Sequence, residues 1–137
     1  QEQVMPFFAQ ELFEKAEGRG DLSSETYLES LKECRRLSRQ QGIDAFMQKH
    51  GLDAFIAPTS GPAWLTDSVN GDPVSIENSF TPSAVAGYPG ISVPLGFISG
   101  LPVGLSFYGG AWSERMLLRC AHAFENATKA QIAPEIS

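Results

Sequence analysis

The sequence predicts an α/β fold in which a partial mixed β-sheet is flanked by helices. Residues 91–95 and 101–107 alternate apolar with small or polar side chains across a short glycine-bounded loop, which is typical of a β-hairpin. Residues 54–57 form an unbroken apolar run, which is typical of a strand covered on both faces. The segments before and after these strands have apolar residues at the three- and four-residue spacing of helices. Three strands are few for about four helices, so we expect an incomplete sheet.

The first half of the chain is predicted to be helical. An N-terminal helix is expected within residues 1–20, with an inner face made of Met5, Phe8, Ala9, Leu12 and Ala16. A second helical stretch, 24–50, begins at Ser23 or Ser24, because serine is a favoured N-cap. Its predicted inner face consists of Tyr27, Leu28, Leu31, Cys34 and Ser38. Gly42 leaves open one long helix or a pair of helices, and Gly51 is expected to end the stretch.

The second half, 53–110, is predicted to hold the strands and a pocket loop. The loop covers residues 58–78, and a loop of this length in a compact domain is usually functional or disordered. Thr81 is expected to cap a short helix with Pro82 at its first position and Gly87 at its end. A C-terminal helix, 113–126, is expected to be capped by Ser113. Its predicted buried stripe is Leu117, Cys120, Ala121 and Phe124. We assign all of 1–137 to a single domain.

Composition excludes several classes of partner. The formal net charge of −6 argues against nucleic acid, because phosphate backbones are bound by Lys and Arg. No apolar run approaches the ~20 residues that cross a bilayer, so we expect no membrane partner. Two cysteines give no disulfide framework, which is consistent with a cytoplasmic location.

Residue chemistry within the chain predicts neither a nucleophile nor a metal site. Ser60 and Ser99 each precede a glycine, but neither lies in a G-x-S-x-G elbow, and both are interpreted as turn residues. A zinc site made of His50, His122 and the two cysteines would lack a short-spaced ligand pair. No G-x-G-x-x-G or G-K-[ST] motif occurs, so we expect no metal and no cofactor.

One region carries a family resemblance. Residues 84–114 read AVAGYPGISVPLGF followed by ISGLPVGLSFYGGAWSE, and residues 53–59 read DAFIAPT. These segments resemble the carboxy-terminal signature of the amidase signature family, and the wording AVAGYP is closest to its peptide-amidase-like branch. The resemblance extends from about residue 24 to residue 124. Many members have Asn where this chain has Ser83, so pocket details of those members do not transfer.

The resemblance implies a function that the chain does not carry alone. In complete relatives an unprotonated lysine and a cis-configured serine activate a second serine, and the three lie in an earlier Gly/Ser-rich segment that has no counterpart here. We therefore expect the C-terminal portion of an amidase acting on carboxamide C–N bonds, inactive by itself. The implied partners are the missing N-terminal amidase portion and, in the complete enzyme, a small amide substrate. The resemblance also implies that Trp64, Ser79 and Phe80 form a wall of the substrate pocket.

The sequence is also compatible with a second interpretation, a stand-alone structural or protein-interaction module derived from the same fold. Both interpretations predict an exposed sheet edge, because the 54–57 strand lacks neighbours in the chain. We therefore expect self-association through that edge.

Overall fold

Helices and strands follow the hydrophobic periodicity of the chain over residues 10–71 and 79–133, the part that this computed structural model describes. The helices are α1 Glu11–Glu17, α2 Glu25–Arg35, α3 Asp44–His50, α4 Thr81–Ala86 and α5 Glu114–Thr128. The strands are β1 Phe55–Pro58, β2 Gly90–Ile98 and β3 Leu101–Tyr108. The predicted positions Met5, Phe8 and Ala9, and the end of the predicted pocket loop (72–78), lie outside the described residues. No described helix is long and apolar enough to cross a bilayer.

The 24–50 stretch is a pair of helices rather than one. Helix α2 starts after Ser24, as predicted, and continues into a π-helical segment, Arg36–Ile43, that ends at α3. Gly42 departs from helical geometry there, with φ −104° and ψ −108°. A Cβ on Gly42 would lie 2.7 Å from the Leu37 carbonyl oxygen, so a larger residue does not fit this kink. Gly51 ends α3 in the left-handed conformation, which confirms the predicted end.

The sheet has the strand order β1-β3-β2. A mixed sheet is predicted from the sequence, but both pairings among the described residues are antiparallel, because β1 and β2 each pair with the returning strand β3. The register aligns Ala57 and Ser92 with Ser106, so these three side chains share one face of the sheet. Within the described residues β1 is therefore an edge strand, and Ile56 on it is 65% exposed rather than covered on both faces.

The hairpin is longer than its sequence indicates. Residues 96–100 are predicted to form its loop, whereas the strands continue to Ile98 and resume at Leu101. A register irregularity between Pro94 and Gly96 absorbs one residue and lets β2 extend past the glycine. Ser99 and Gly100 both have positive φ, 52° and 81°, as the tight two-residue turns of hairpins require.

The core lies between the sheet and α5. It consists of Val93, Leu105, Phe107, Leu117 and Ala121, with Cys120 and Phe124 packed against it. The predicted stripe of the C-terminal helix is thus confirmed. Its predicted cap is only half right, because Ser113 holds the N-cap position but its hydroxyl donates backwards to the Gly110 carbonyl at 2.8 Å.

The predicted inner faces of the first helices are largely uncovered. Neither α1 nor α2 has a buried residue, and Leu12, Tyr27 and Leu28 are all exposed. Within the described part of the chain no layer covers these side chains. The start of α4 also differs slightly from prediction: Phe80 is the N-cap, so Thr81 is the first helical residue and Pro82 the second.

Candidate functional site

Two of the three predicted wall residues contact the sheet, Ser79 at the residue that follows β1 and Phe80 at the first residue of β2. Ser79 donates its backbone N–H to the Thr59 carbonyl at 3.4 Å, which fixes the start of the α4 helix beside the last residues of β1. The ring of Phe80 lies over β2, where a Cβ on Gly90 would be 2.5 Å from Phe80 Cε1. The chain therefore brings two of the three predicted residues to one place.

Trp64, the third predicted wall residue, lies in the loop that follows β1 and is 45% exposed. That loop turns around Asp67, whose carboxylate accepts hydrogen bonds from the backbone N–H groups of Val69 and Asn70, both at 2.9 Å, and from the Asn70 side chain at 2.8 Å. The hydrogen bonds from Asn70, followed by that of Val69, lower the pKa of Asp67.

Three hydroxyl groups form a chain on the sheet face beside these residues. Ser106 donates to Thr59 Oγ1 at 2.8 Å, and Thr59 Oγ1 lies 2.6 Å from Ser92 Oγ. We call these residues the hydroxyl chain. It was not predicted from the sequence. The alternation of Ser92 with Ile91 and Val93 indicates only a polar face, and the match with Ser106 depends on the register of the sheet.

A groove of about 580 Å³ lies between the helix pair and the same face of the sheet. We call it the aromatic groove. Its lining includes Leu37, Phe46, Phe55, Pro82 and Tyr108. The Phe55 and Tyr108 rings stack with centroids 5.0 Å apart, and Phe46 lies 5.7 Å from Phe55. Ser38 also lines it, and its hydroxyl oxygen is buried without a hydrogen-bond partner. None of the three predicted wall residues lines this groove.

A polar junction holds the α4–β2 connection against the helix pair. Arg39 Nε donates to the Ala86 carbonyl at 2.6 Å, and its guanidinium lies 5.3 Å from the centre of the Tyr88 ring. The Tyr88 hydroxyl donates to Asp44 Oδ2 at 2.8 Å. Burial, followed by this hydrogen bond to the carboxylate, raises the pKa of Tyr88.

The lysines, Ser60 and the two cysteines, which could take part in catalysis or metal binding, do not form such a site among the described residues. All four lysines lie on or beside helices and are solvent-exposed: Lys15, Lys32, Lys49 and Lys129. Ser60 donates its hydroxyl to the neighbouring Gly61 carbonyl at 3.1 Å, as a turn residue does. Cys34 and Cys120 are free thiols on α2 and α5. Over residues 10–71 and 79–133, no group of three His, Cys, Asp or Glu side chains is arranged to hold a metal ion.

Comparison with known proteins gives a consistent set of matches. The Amidase family model matches residues 7–118 of the chain. One subunit of the glutamyl-tRNA(Gln) amidotransferase of Marinobacter nauticus is 44% identical over 105 residues, which make up 74% of this chain and 21% of that protein.

Solved structures agree with this result. A peptide amidase in complex with the competitive inhibitor chymostatin superimposes with a TM-score of 0.92 at 43% identity, over 98% of this chain and 27% of that one. The native peptide amidase from Stenotrophomonas maltophilia gives a TM-score of 0.82 at 43% identity, over 93% of this chain and 25% of that one. The chain thus spans about a fifth to a quarter of the length of these relatives.

Proposed function

The chain belongs to the Amidase family, and we propose that it is the C-terminal segment of a hydrolase that cleaves carboxamide C–N bonds. In such a reaction water supplies a hydroxyl group to the acyl carbon and a proton to the departing ammonia. The match to peptide amidases over nearly the whole chain, at 43% identity, supports this chemistry. The reacting groups belong, on this proposal, to a segment other than these 137 residues.

The observation that carries the proposal is the incompleteness of the sheet. Its order β1-β3-β2 leaves both outer strands with one described neighbour each. Ile56 on β1, Leu28 on α2 and Phe46 on α3 expose apolar side chains that a complete fold buries. The peptide amidase fold is nearly four times longer than the part this chain matches, which supplies enough protein to cover them.

The side chains of this chain support the proposal that it supplies structure while another segment supplies the reacting groups. Activation of a serine needs a base within hydrogen-bond reach of its hydroxyl. The four lysines are exposed on or beside helices, and Ser60 bonds to its neighbour's carbonyl. We propose that the Lys/Ser/Ser segment of complete relatives supplies the nucleophile, and that this chain supplies sheet core and one wall of the pocket.

That wall, on this proposal, consists of Trp64, Ser79 and Phe80. Ser79 and Phe80 are supported by their anchoring, since one is bonded to Thr59 and the other packs over Gly90. Trp64 is supported by its place in the loop that leaves the same end of β1. An indole and a phenyl ring beside hydroxyl groups suit a pocket for a substrate with both apolar and amide parts.

A second candidate function is a stand-alone structural or interaction module. The core between β2, β3 and α5 favours it, because it is built from buried residues of this chain alone. In that case the aromatic groove and the β1 edge would serve a protein partner or a second copy.

One pair of measurements on the protein from its native source separates the two candidates. The proposal predicts an intact mass several times that of the 137 residues, together with release of ammonia from a carboxamide. An intact mass equal to that of these residues, without ammonia release, would support the stand-alone module instead.

A further inference from the structure

The ring of Phe80 lies directly against the backbone of Gly90. Phe80 is the N-cap of α4, and Gly90 is the first residue of β2. A Cβ on Gly90 would lie 2.5 Å from Cε1 and 3.0 Å from Cδ1 of the Phe80 ring. Carbon atoms in contact are normally about 3.5–4.0 Å apart. The ring therefore occupies the space that a side chain at position 90 would need.

The backbones on both sides of this contact are held in place. The Phe80 carbonyl accepts hydrogen bonds from the Ala84 N–H at 2.8 Å and from the Ser83 hydroxyl at 3.0 Å. Gly90 lies opposite Tyr108 in the pairing of β2 with β3. The atoms nearest to position 90 belong to the far end of the Phe80 side chain, which rotates more easily than either backbone shifts. A methyl group at position 90 would therefore displace the ring and leave the strand where it is.

The displaced ring would move towards the side on which it is accessible. Phe80 is half-buried, and the part of its ring that faces Gly90 is covered by that contact. Restoring an ordinary carbon–carbon distance requires a movement of about 1 Å away from β2. If Phe80 borders the substrate pocket, this movement narrows the pocket. One methylene group more or less in an apolar pocket discriminates between substrates by about 10- to 200-fold.

We propose that Gly90 is a positioning residue that seats the Phe80 ring against β2, and that it thereby sets the largest side chain that a substrate can carry next to its carboxamide. This inference rests on the function proposed above. The ring makes the contact with the substrate, and Gly90 acts only through the ring. Because a phenyl ring offers a hydrocarbon surface, the substrate side chain that it meets is apolar.

The test uses the natural gene product that contains this chain and follows ammonia release from two short peptides with a C-terminal carboxamide. One peptide ends in glycine and the other in phenylalanine. Gly90→Ala should raise KM for the phenylalanine peptide about 10-fold relative to the glycine peptide, because only the larger side chain meets the displaced ring. The kcat for the glycine peptide should stay unchanged, since the ring is not one of the reacting groups.

Two further variants show whether the effect passes through the ring. Leucine lacks the ring atoms that a methyl group at position 90 meets, so Phe80→Leu combined with Gly90→Ala should restore the ratio of the two KM values. Phe80→Trp keeps Gly90 but places a larger ring on it, and this variant should raise the ratio even if Gly90→Ala does not fold. An unchanged ratio in Phe80→Trp would overturn the inference.

Gly109→Ala is the matched control. The Gly109 N–H donates to the Pro89 carbonyl at 3.4 Å, next to Gly90, but a Cβ on Gly109 would meet Ser113 Oγ, at 2.8 Å, instead of Phe80. This variant should leave the ratio unchanged.

Three results would overturn the inference and leave the proposed function standing: an equal rise of KM for both peptides, the same rise of the ratio in Gly109→Ala, or a ratio that Phe80→Leu does not restore. A lower Tm for Gly90→Ala with an unchanged ratio would also overturn it, because the glycine would then serve the fold alone. Absence of ammonia release from the unaltered protein would overturn the proposed function and this inference together.

Discussion

Gly42 is the residue on which the shape of the helix pair depends. Its backbone leaves the helical region and brings position 42 close to the Leu37 carbonyl oxygen. Gly42→Ala should lower the free energy of unfolding by about 1–3 kcal/mol, because the new methyl group overpacks the kink. Urea denaturation followed by circular dichroism measures the change.

Gly18→Ala is the matched control for this substitution, because Gly18 ends α1 with helical angles and its nearest atoms lie at ordinary contact distance. Equal effects at the two positions would contradict the close approach at Gly42.

Phe107 is the largest side chain of the core on β3. It is 6% exposed and its ring meets that of Phe124 edge-on with centroids 6.0 Å apart. Phe107→Ala should cost about 3–5 kcal/mol of stability through lost burial and a residual cavity. Phe97→Ala, on the same hairpin but 46% exposed, should cost far less. A loss below about 1 kcal/mol for Phe107→Ala would show that the strand register is wrong.

At the residue scale the sequence identifies the apolar positions of the core between the sheet and α5, but neither the polar pairings nor the exposure of the first helices. The alternation that places Phe107 inside is visible in the sequence, and so is the stripe containing Leu117. The link between Ser106 and Thr59 spans 47 residues, and no local pattern encodes such a pairing. The resemblance predicts a pocket wall at Trp64, Ser79 and Phe80, whereas the hydroxyl chain depends on the register of the folded sheet.

The connection between α4 and β2 is held by the contact of Tyr88 with Asp44. Tyr88→Phe removes this hydrogen bond and should lower stability by roughly 0.5–1.5 kcal/mol.

The raised pKa of Tyr88 also makes the stability of the fold depend on pH. A group whose pKa is higher in the folded state stabilises the fold below its unfolded value, near 10, and this contribution is lost as pH rises through the folded value.

Thermal unfolding between neutral and strongly alkaline pH tests this. The unaltered chain should lose stability above pH ~10 more steeply than Tyr88→Phe. Tyr27→Phe, on the exposed side of α2, is the control and should behave like the unaltered chain. Parallel alkaline profiles for all three proteins would contradict the role given to Tyr88.

At the element scale, capping residues and periodicity predict where the helices and the hairpin lie. They do not predict which elements pack against one another. The starts of α2 and α5 follow serine N-cap positions, and α3 ends at a glycine, because these features depend on adjacent residues. The edge position of β1 and the exposure of α2 depend on what packs beside them, and periodicity does not contain that information. The extension of β2 past Gly96 depends on an irregularity of register that the sequence does not mark.

The whole molecule exposes more apolar surface than its own elements can cover. The exposed side chains include Leu28, Leu37, Phe46, Ile56 and Trp112. We expect the isolated chain to self-associate through the β1 edge, because an unpaired strand with an exposed apolar residue favours pairing with another chain. Sedimentation velocity at increasing concentration should show species larger than a monomer.

Ile56→Lys should reduce this association, since a charge on an edge strand opposes pairing. Val85→Lys, on the exposed side of α4, is the control and should leave association unchanged. A single monomeric species at high concentration of the unaltered chain would count against the exposed edge.

Hydrolysis of a carboxamide by the purified 137-residue chain, shown to be folded by circular dichroism, tests most directly whether this chain is scaffold and the reacting groups belong to another segment. We expect no ammonia above the rate without protein, while the natural gene product releases it. Turnover by the purified chain that disappears on replacing one of its own serines, such as Ser60→Ala, would show that the reacting groups lie within these 137 residues.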